Sequence, residues 1–270
     1  MRRRSVTVDG AAASYLTAGD DGPLVVLLHG TYWSRVWQPV VDGLAAAGLR
    51  PVAVDFPGCG RSEGELTLET AAVPALAAWV ERFADAVGVK GPLLVAGHDI
   101  GGAVAQRLLA ARGRDVARLA LVNSVTYDSW PVPGVARFRD PEVVARVTTE
   151  ELVAARRTAL TKAAARPLSE DALADYLSPW HDPRVGRSWM AIAGAADSRY
   201  TLELVPALRE STTPKLLVWG EDDEFQPVAY AERFAAEIPA STLVRIPSAG
   251  HIPMENDPGA VAGALADFFS

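Results

Sequence analysis

Residues 97–102 read Gly97-His98-Asp99-Ile100-Gly101-Gly102 and directly follow the apolar run Leu93-Leu94-Val95-Ala96. A strand-to-helix turn of the G-x-S-x-G kind presents a nucleophilic serine at its bend. Here the residue at that place is Asp99. A hydroxyl would attack acyl carbon, whereas a carboxylate attacks saturated carbon and leaves an ester on the enzyme. The pattern therefore points to epoxide opening or carbon–halogen cleavage. An aspartate ahead of a Gly-rich helix start also suits a helix N-cap, but its place within G-x-D-x-G-G after a buried strand favours the nucleophile. The positive end of the following helix would keep that carboxylate ionised.

Three further segments carry chemistry. His29-Gly30-Thr31 follows the apolar run Leu24 to Leu28. A backbone N–H at Thr31 would supply half of an oxyanion hole, with Ile100 N–H supplying the other half. His29 itself reads as structural, bonding backbone near the loop. Trp219-Gly220-Glu221-Asp222-Asp223 offers three carboxylates, any of which could orient a histidine. That histidine is His251, in the glycine-led loop Ala249-Gly250-His251-Ile252-Pro253. It would draw a proton from water while the acid fixes its tautomer and stabilises the imidazolium.

The elements that must position these residues alternate along the chain. Val6 to Val8 and Ala12 to Thr17 flank Asp9-Gly10, a tight hairpin signal. Continuous apolar strands follow at Leu24 to Leu28, Pro51 to Val54, Leu93 to Ala96, Leu119 to Val122, Leu216 to Trp219 and Leu243 to Ile246. Helical segments are expected at about Trp37 to Ala46, Leu68 to Val87, Gly101 to Arg112, Pro227 to Glu237 and Pro258 to Phe269. The alternation implies an α/β fold with a mostly parallel sheet, the opening hairpin adding antiparallel strands at one edge.

The rhythm fails between Val125 and Thr213, where apolar residues recur at helical spacing and Pro131, Pro133, Pro141, Pro167, Pro179 and Pro183 cut the chain into short pieces. A helical cap of residues 125–213 is expected there, inserted after the strand at 119–122 into a core formed by 1–124 and 214–270. The Ala- and Arg-dense stretch 153–166 reads as a solvated helix face.

Composition excludes several classes of function. A net charge of −7 and pI near 5.2 argue against nucleic acid as a partner. No apolar h-region follows Arg2-Arg3-Arg4, and no run approaches the length of a membrane helix, so a cytoplasmic protein with no membrane partner is expected. The single cysteine, Cys59, excludes an internal disulfide and reads as a packing residue. No metal or other cofactor is called for, and oligomeric state is not legible.

Taken together, His29-Gly30-Thr31, Val54 to Ser62 (V-D-F-P-G-C-G-R-S), Gly97 to Gly102, Gly220 to Asp223 and Gly250-His251 resemble the α/β-hydrolase superfamily over nearly the whole chain. The resemblance implies that fold and a triad in the order nucleophile, acid, histidine. It makes Asp223 the triad acid, three residues past Gly220, with Asp222 as the fallback. Within the superfamily, the aspartate resembles the epoxide hydrolases and the haloalkane and haloacetate dehalogenases. Such enzymes displace a leaving group with the aspartate and then hydrolyse the ester with histidine-activated water.

The leaving group separates these branches. Haloalkane dehalogenases have tryptophan after the nucleophile and often asparagine after His-Gly; here those positions hold Ile100 and Thr31. Haloacetate dehalogenases carry arginine after the aspartate, which Ile100 cannot replace. The resemblance thus favours hydrolysis of an apolar epoxide, with Tyr200, Tyr176, His181 and Tyr127 as candidate donors to the epoxide oxygen. A dehalogenase is the alternative, and a non-hydrolytic binding or biosynthetic protein a third. Tyr32, Trp33, Trp130, Phe138, Trp180 and Trp189 are expected to wall a pocket for a small apolar substrate.

Overall fold

The computed structural model describes residues 1–111 and 113–270. Its strands are β1 (Arg2–Val8), β2 (Ala11–Thr17), β3 (Leu24–Leu28), β4 (Arg50–Val54), β5 (Leu93–Asp99), β6 (Val116–Ser124), β7 (Lys215–Gly220) and β8 (Ser241–Ile246). They form one sheet in the order β1-β2-β4-β3-β5-β6-β7-β8. β1 and β2 pair antiparallel around Asp9 and Gly10, whose φ angles of 52° and 83° suit a two-residue hairpin turn. From β4 to β8 every neighbouring pair is parallel. Val25 to Leu28 are wholly buried, as a strand covered on both faces requires.

Helices cover both faces. α1 (Gln38–Ala46) packs with the C-terminal helix on one side; α2 (Val73–Ala86) and α3 (Ile100–Ala110) pack on the other. α2 starts at Val73 and not at Leu68. Pro74 suits the first helical turn, where its missing N–H costs nothing, and Leu68 is left exposed. Of the segment expected to end α3, Arg112 lies outside the described residues.

Between β6 and β7 the elements are helical: α4 (Pro141–Arg146), α5 (Thr149–Ala163), α6 (Glu170–Leu177), α7 (Pro183–Ala195), α8 (Arg199–Leu202) and α9 (Val205–Glu210). Several of the prolines that interrupt the sequence here open helices. Pro141 and Pro183 occupy first turns behind the capping side chains of Asp140 and Asp182. Thr148 and Glu151 close a capping box on α5. α8 and α9 turn back onto α3, with Leu204 and Leu208 joining the cluster that holds Leu108. α10 (Val228–Glu237), α11 (Pro253–Asn256) and α12 (Pro258–Phe269) complete the chain.

Polar contacts tie the insertion to the core. Arg35 donates to Asp175 of α6 at 2.5 Å, and Leu66 N–H donates to the buried Ser188 Oγ of α7 at 3.1 Å. Asp99 ends a parallel strand, and Thr31, Asp223 and His251 follow the C-terminal ends of three others, the edge where open α/β sheets bind ligands.

Candidate active site

Asp99 ends β5 and immediately precedes α3 with φ 54° and ψ −126°, a strained backbone costing about 1–3 kcal/mol for a residue with a side chain. The glycines around it make the turn possible. A Cβ at Gly101 would stand 2.6 Å from the carbonyl oxygens of both Leu28 and His29. The Asp99 carboxylate does not cap α3. Instead its Oδ2 accepts the Thr31 backbone N–H and hydroxyl, each at 3.2 Å. Oδ1 accepts no hydrogen bond among the described residues, which leaves it free to attack. Ile100 opens α3, so its N–H has no intrahelical acceptor and remains for an oxyanion.

His251 stands across from this carboxylate, its Nε2 4.0 Å from Asp99 Oδ2, beyond hydrogen-bonding range. Its Nδ1 donates to Asp223 Oδ2 at 2.9 Å. Asp223 is saturated with donors. Asn123 Nδ2 reaches the same Oδ2 at 2.7 Å, while Phe225 and Gln226 N–H reach Oδ1 at 2.7 and 3.0 Å. Asp222 and Glu221 are exposed, so Asp223 holds the position expected for the acid. His98 Nε2 donates to the His251 carbonyl at 2.8 Å and so fixes the loop behind the His251 ring.

Charge at the site follows from these contacts. Burial pushes the Asp99 carboxyl up, but His251, His98 and the Thr31 amide outweigh it and hold Asp99 below the usual carboxylate range. Burial disfavours the His251 cation, yet the charge and hydrogen bond of Asp223, with Asp99 opposite, raise it well above its ordinary value. His98 has no such carboxylate bond; burial, followed by repulsion from His251, lowers it to about 4, so it stays neutral. Cys59 is buried and its thiol is pushed far up by burial, consistent with packing. His29 is structural: its Nε2 accepts the Phe56 N–H at 3.0 Å and its Nδ1 donates to the Gly30 carbonyl at 2.7 Å.

A cavity of about 240 Å³ adjoins Asp99, Thr31, Ile100 and His251. Its walls include Tyr32, Val125, Trp130, Pro131, Trp189 and Phe225. α5 contributes Arg156, whose guanidinium carbon lies 4.6 Å from the centre of the Trp189 ring.

Residues 25–264 match the alpha/beta hydrolase family. The chain belongs to that family. A haloalkane dehalogenase of Mesorhizobium japonicum is 27% identical to it over 285 residues, covering 99% of this chain and 91% of the relative. A polyketide synthase of Burkholderia thailandensis is also 27% identical, over 93% of this chain, which spans only 12% of that protein. Among solved structures, an alpha/beta hydrolase fold protein from Burkholderia ambifaria superposes with a TM-score of 0.85 at 27% identity, covering 98% of this chain and 97% of the other.

The hydrolase does not bring the four expected epoxide donors to the cavity. Tyr200 sits on α8, which packs against α3, and it joins the core cluster beside the sheet. The Tyr176 hydroxyl is committed to Glu255 Oε1 at 2.9 Å beneath the Arg35 guanidinium. His181 is exposed. Tyr127 directs its hydroxyl to Glu237 at 3.4 Å and stacks under Arg233. Of the expected wall residues, Tyr32, Trp130 and Trp189 line the cavity. Trp33 is turned away, donating to the Tyr176 carbonyl, and Phe138 belongs to a separate cluster with Met190. Trp180 stands behind Trp189, its ring centre 5.8 Å away.

Asn123, His98 and Arg156 were not expected at the site. For Asn123 and His98 the sequence carries no pattern, because each acts through the backbone or side chain of a residue more than 90 positions distant. Arg156 does carry one. The stretch expected to be solvated buries Arg156, Leu160 and Ala163 in line with Leu152 just before it, while Arg157 and Thr158 face solvent.

Proposed function

We propose that this hydrolase cleaves the carbon–halogen bond of a small organic substrate through an ester formed on Asp99. The observation that carries this reading is the supply of donors around the cavity. Trp189, on its wall, has a buried Nε1–H with no hydrogen-bond partner. The four residues expected to protonate an epoxide oxygen are all directed elsewhere. A departing halide needs N–H donors and no proton, so the cavity suits it better. The relative named haloalkane dehalogenase supports the same reading.

The reaction runs in two steps. Asp99 Oδ1 attacks the substrate carbon in line, the C–O bond forming as the halide leaves with the bonding electrons. Alkylation removes the charge of Asp99, one of two anions that hold the proton on His251. His251 therefore becomes a weaker acid-holder at the moment a base is needed, and releases its proton to solvent. Neutral His251 then takes a proton from water, and the hydroxide attacks the ester carbonyl. The resulting oxyanion is received by the Thr31 and Ile100 N–H groups. Collapse breaks the bond to the alkyl oxygen, which takes the proton back from His251 and leaves as the alcohol, and the Asp99 carboxylate is restored.

A second reading rests on Tyr32. It is the one tyrosine on the cavity wall among the described residues and would supply the proton for an epoxide oxygen. The two readings separate in a His251→Gln variant, whose second step should stall. After incubation with haloalkanes, haloacids or epoxides, intact-mass spectrometry should find an adduct on Asp99 from a halogenated compound lacking its halogen. An adduct retaining a whole epoxide would overturn the halide reading, and no adduct from any compound would overturn the nucleophile.

A further inference from the structure

Arg156 is 8% exposed and lies within a cage of aromatic rings, its guanidinium carbon 4.6 Å from Trp189, 5.3 Å from Trp180 and 5.4 Å from Tyr32. Among the described residues it forms no ion pair, and its buried Nε has no hydrogen-bond partner. It lines the cavity that holds Asp99 and His251. An arginine does not shed its proton, so this charge persists wherever it is buried. Aromatic faces steady a guanidinium above and below its plane but leave its N–H rim unsatisfied. That rim is a planar fork whose geometry matches a carboxylate.

The charge count points the same way. Asp99 balances Arg156 through space only until it is alkylated. From then on no anion on the cavity wall faces the Arg156 fork unless the substrate itself brings one. A halide would also balance charge, but it would use one point of contact and leave the rest of the fork unpaired. Trp189 Nε1–H, which has no hydrogen-bond partner, is the donor assigned to the leaving group above.

The geometry points to Arg156 as a carboxylate-binding subsite, so that the hydrolase acts on a short haloalkanoate in preference to a neutral haloalkane. This rests on the displacement reading above. The substrate carboxylate stays on Arg156 while Asp99 forms the C–O bond at the halogen-bearing carbon and halide departs with its electron pair. Hydrolysis of the ester then consumes one water and yields a hydroxyalkanoate, halide and a proton. A cavity of about 240 Å³ suits a substrate of only a few carbons.

Binding and turnover test this separately. Propionate, which has no leaving group, should quench or shift the tryptophan fluorescence of Asp99→Asn, through Trp180 and Trp189. Adding Arg156→Gln should weaken that binding about 100-fold, the scale of a charge-assisted pair. The same substitution in the active enzyme should shift the ratio of kcat/KM for 2-chloropropionate over 1-chlorobutane about 100-fold toward the neutral compound. Arg156→Lys keeps the charge and stem without the fork, and should fall between. If 1-chlorobutane is turned over while 2-chloropropionate is inert and propionate does not bind, the subsite is wrong and the displacement stands. If propionate binds through Arg156 but neither compound releases chloride, the displacement is wrong and the subsite stands. Bromide, in place of propionate, losing affinity in Arg156→Gln would overturn the carboxylate assignment.

Discussion

Replacing Asp223 by asparagine tests how the site holds its histidine. The side chain is fully shielded, and four donors converge on its two oxygens at 2.7 to 3.0 Å: His251 Nδ1 and Asn123 Nδ2 on one, Phe225 and Gln226 N–H on the other. An amide has one acceptor oxygen, so its NH₂ must confront one of these donor pairs. Two hydrogen bonds to a charged group are lost, each worth about 1.5–3 kcal/mol. Sparing the burial of a carboxylate offsets part of this, leaving a net destabilisation of about 2–4 kcal/mol. The larger effect falls on His251. With the Asp223 charge gone, burial dominates, and the imidazole loses both its preference for the cation and the acceptor that fixes its tautomer. Alkylation of Asp99 does not need His251 and should survive. Hydrolysis should slow by about three to four orders of magnitude, as removing the orienting acid does in related triads. Urea denaturation would measure the stability change. A stopped-flow halide assay should show a burst near one equivalent followed by a stall. A variant within 0.5 kcal/mol of wild type in stability that turns over without a burst would refute the reasoning.

Three further outcomes are expected. Gly30→Ala would place a Cβ 2.6 Å from Asp99 Cγ, so the carboxylate must leave the Thr31 donors; single-turnover alkylation should fall at least about 100-fold, the scale of a lost oxyanion-type donor. Trp189→Phe keeps the ring against Arg156 but removes the unpaired N–H; halide release should drop about 10- to 100-fold, with stability within about 1 kcal/mol of wild type by thermal melting. Stability should also depend on pH through His251, whose proton is held above the ordinary value of 6.5 in the folded state. A raised folded pKa contributes stability that is complete below 6.5 and is lost as pH climbs through the folded value. The stability gap between wild type and His251→Gln should therefore narrow on the alkaline side of 6.5; a gap that widens there would contradict the assignment. Asp99 acts with the opposite sign, its lowered carboxyl giving stability above the ordinary 3.8 that is lost as pH falls through the folded value.

The alternation of apolar runs and helical segments determined the sheet, because a parallel strand buried on both faces must be apolar throughout and its crossover must be helical. It left the ends of elements open. β5 continues three residues beyond its apolar run to Asp99, since the strand is extended by its pairing with β6 and not by side-chain hydrophobicity. Asp99, Asp223, His251 and Thr31 were legible because strand-end loops of an α/β sheet converge whatever lies between them. The donors expected from the helical insertion were not. Where a helix of an insertion packs depends on which neighbour covers its apolar face, and α8 covers α3 where the cavity needed it.

Arg156 shows the same limit from the other side. The sequence by itself determined that Asp99, Asp223 and His251 meet at one edge of the sheet, because their order and spacing are set by strand ends. Only the tertiary structure decided what stands opposite them. Arg156 occupies a helical position whose i±4 neighbours are Leu152 and Leu160, and one-dimensional pattern cannot say whether a cation on that face reaches solvent or a cavity. The packing of α5 against Tyr32, Trp180 and Trp189 buries it on the wall of the cavity that holds Asp99, with its Nε–H unpartnered.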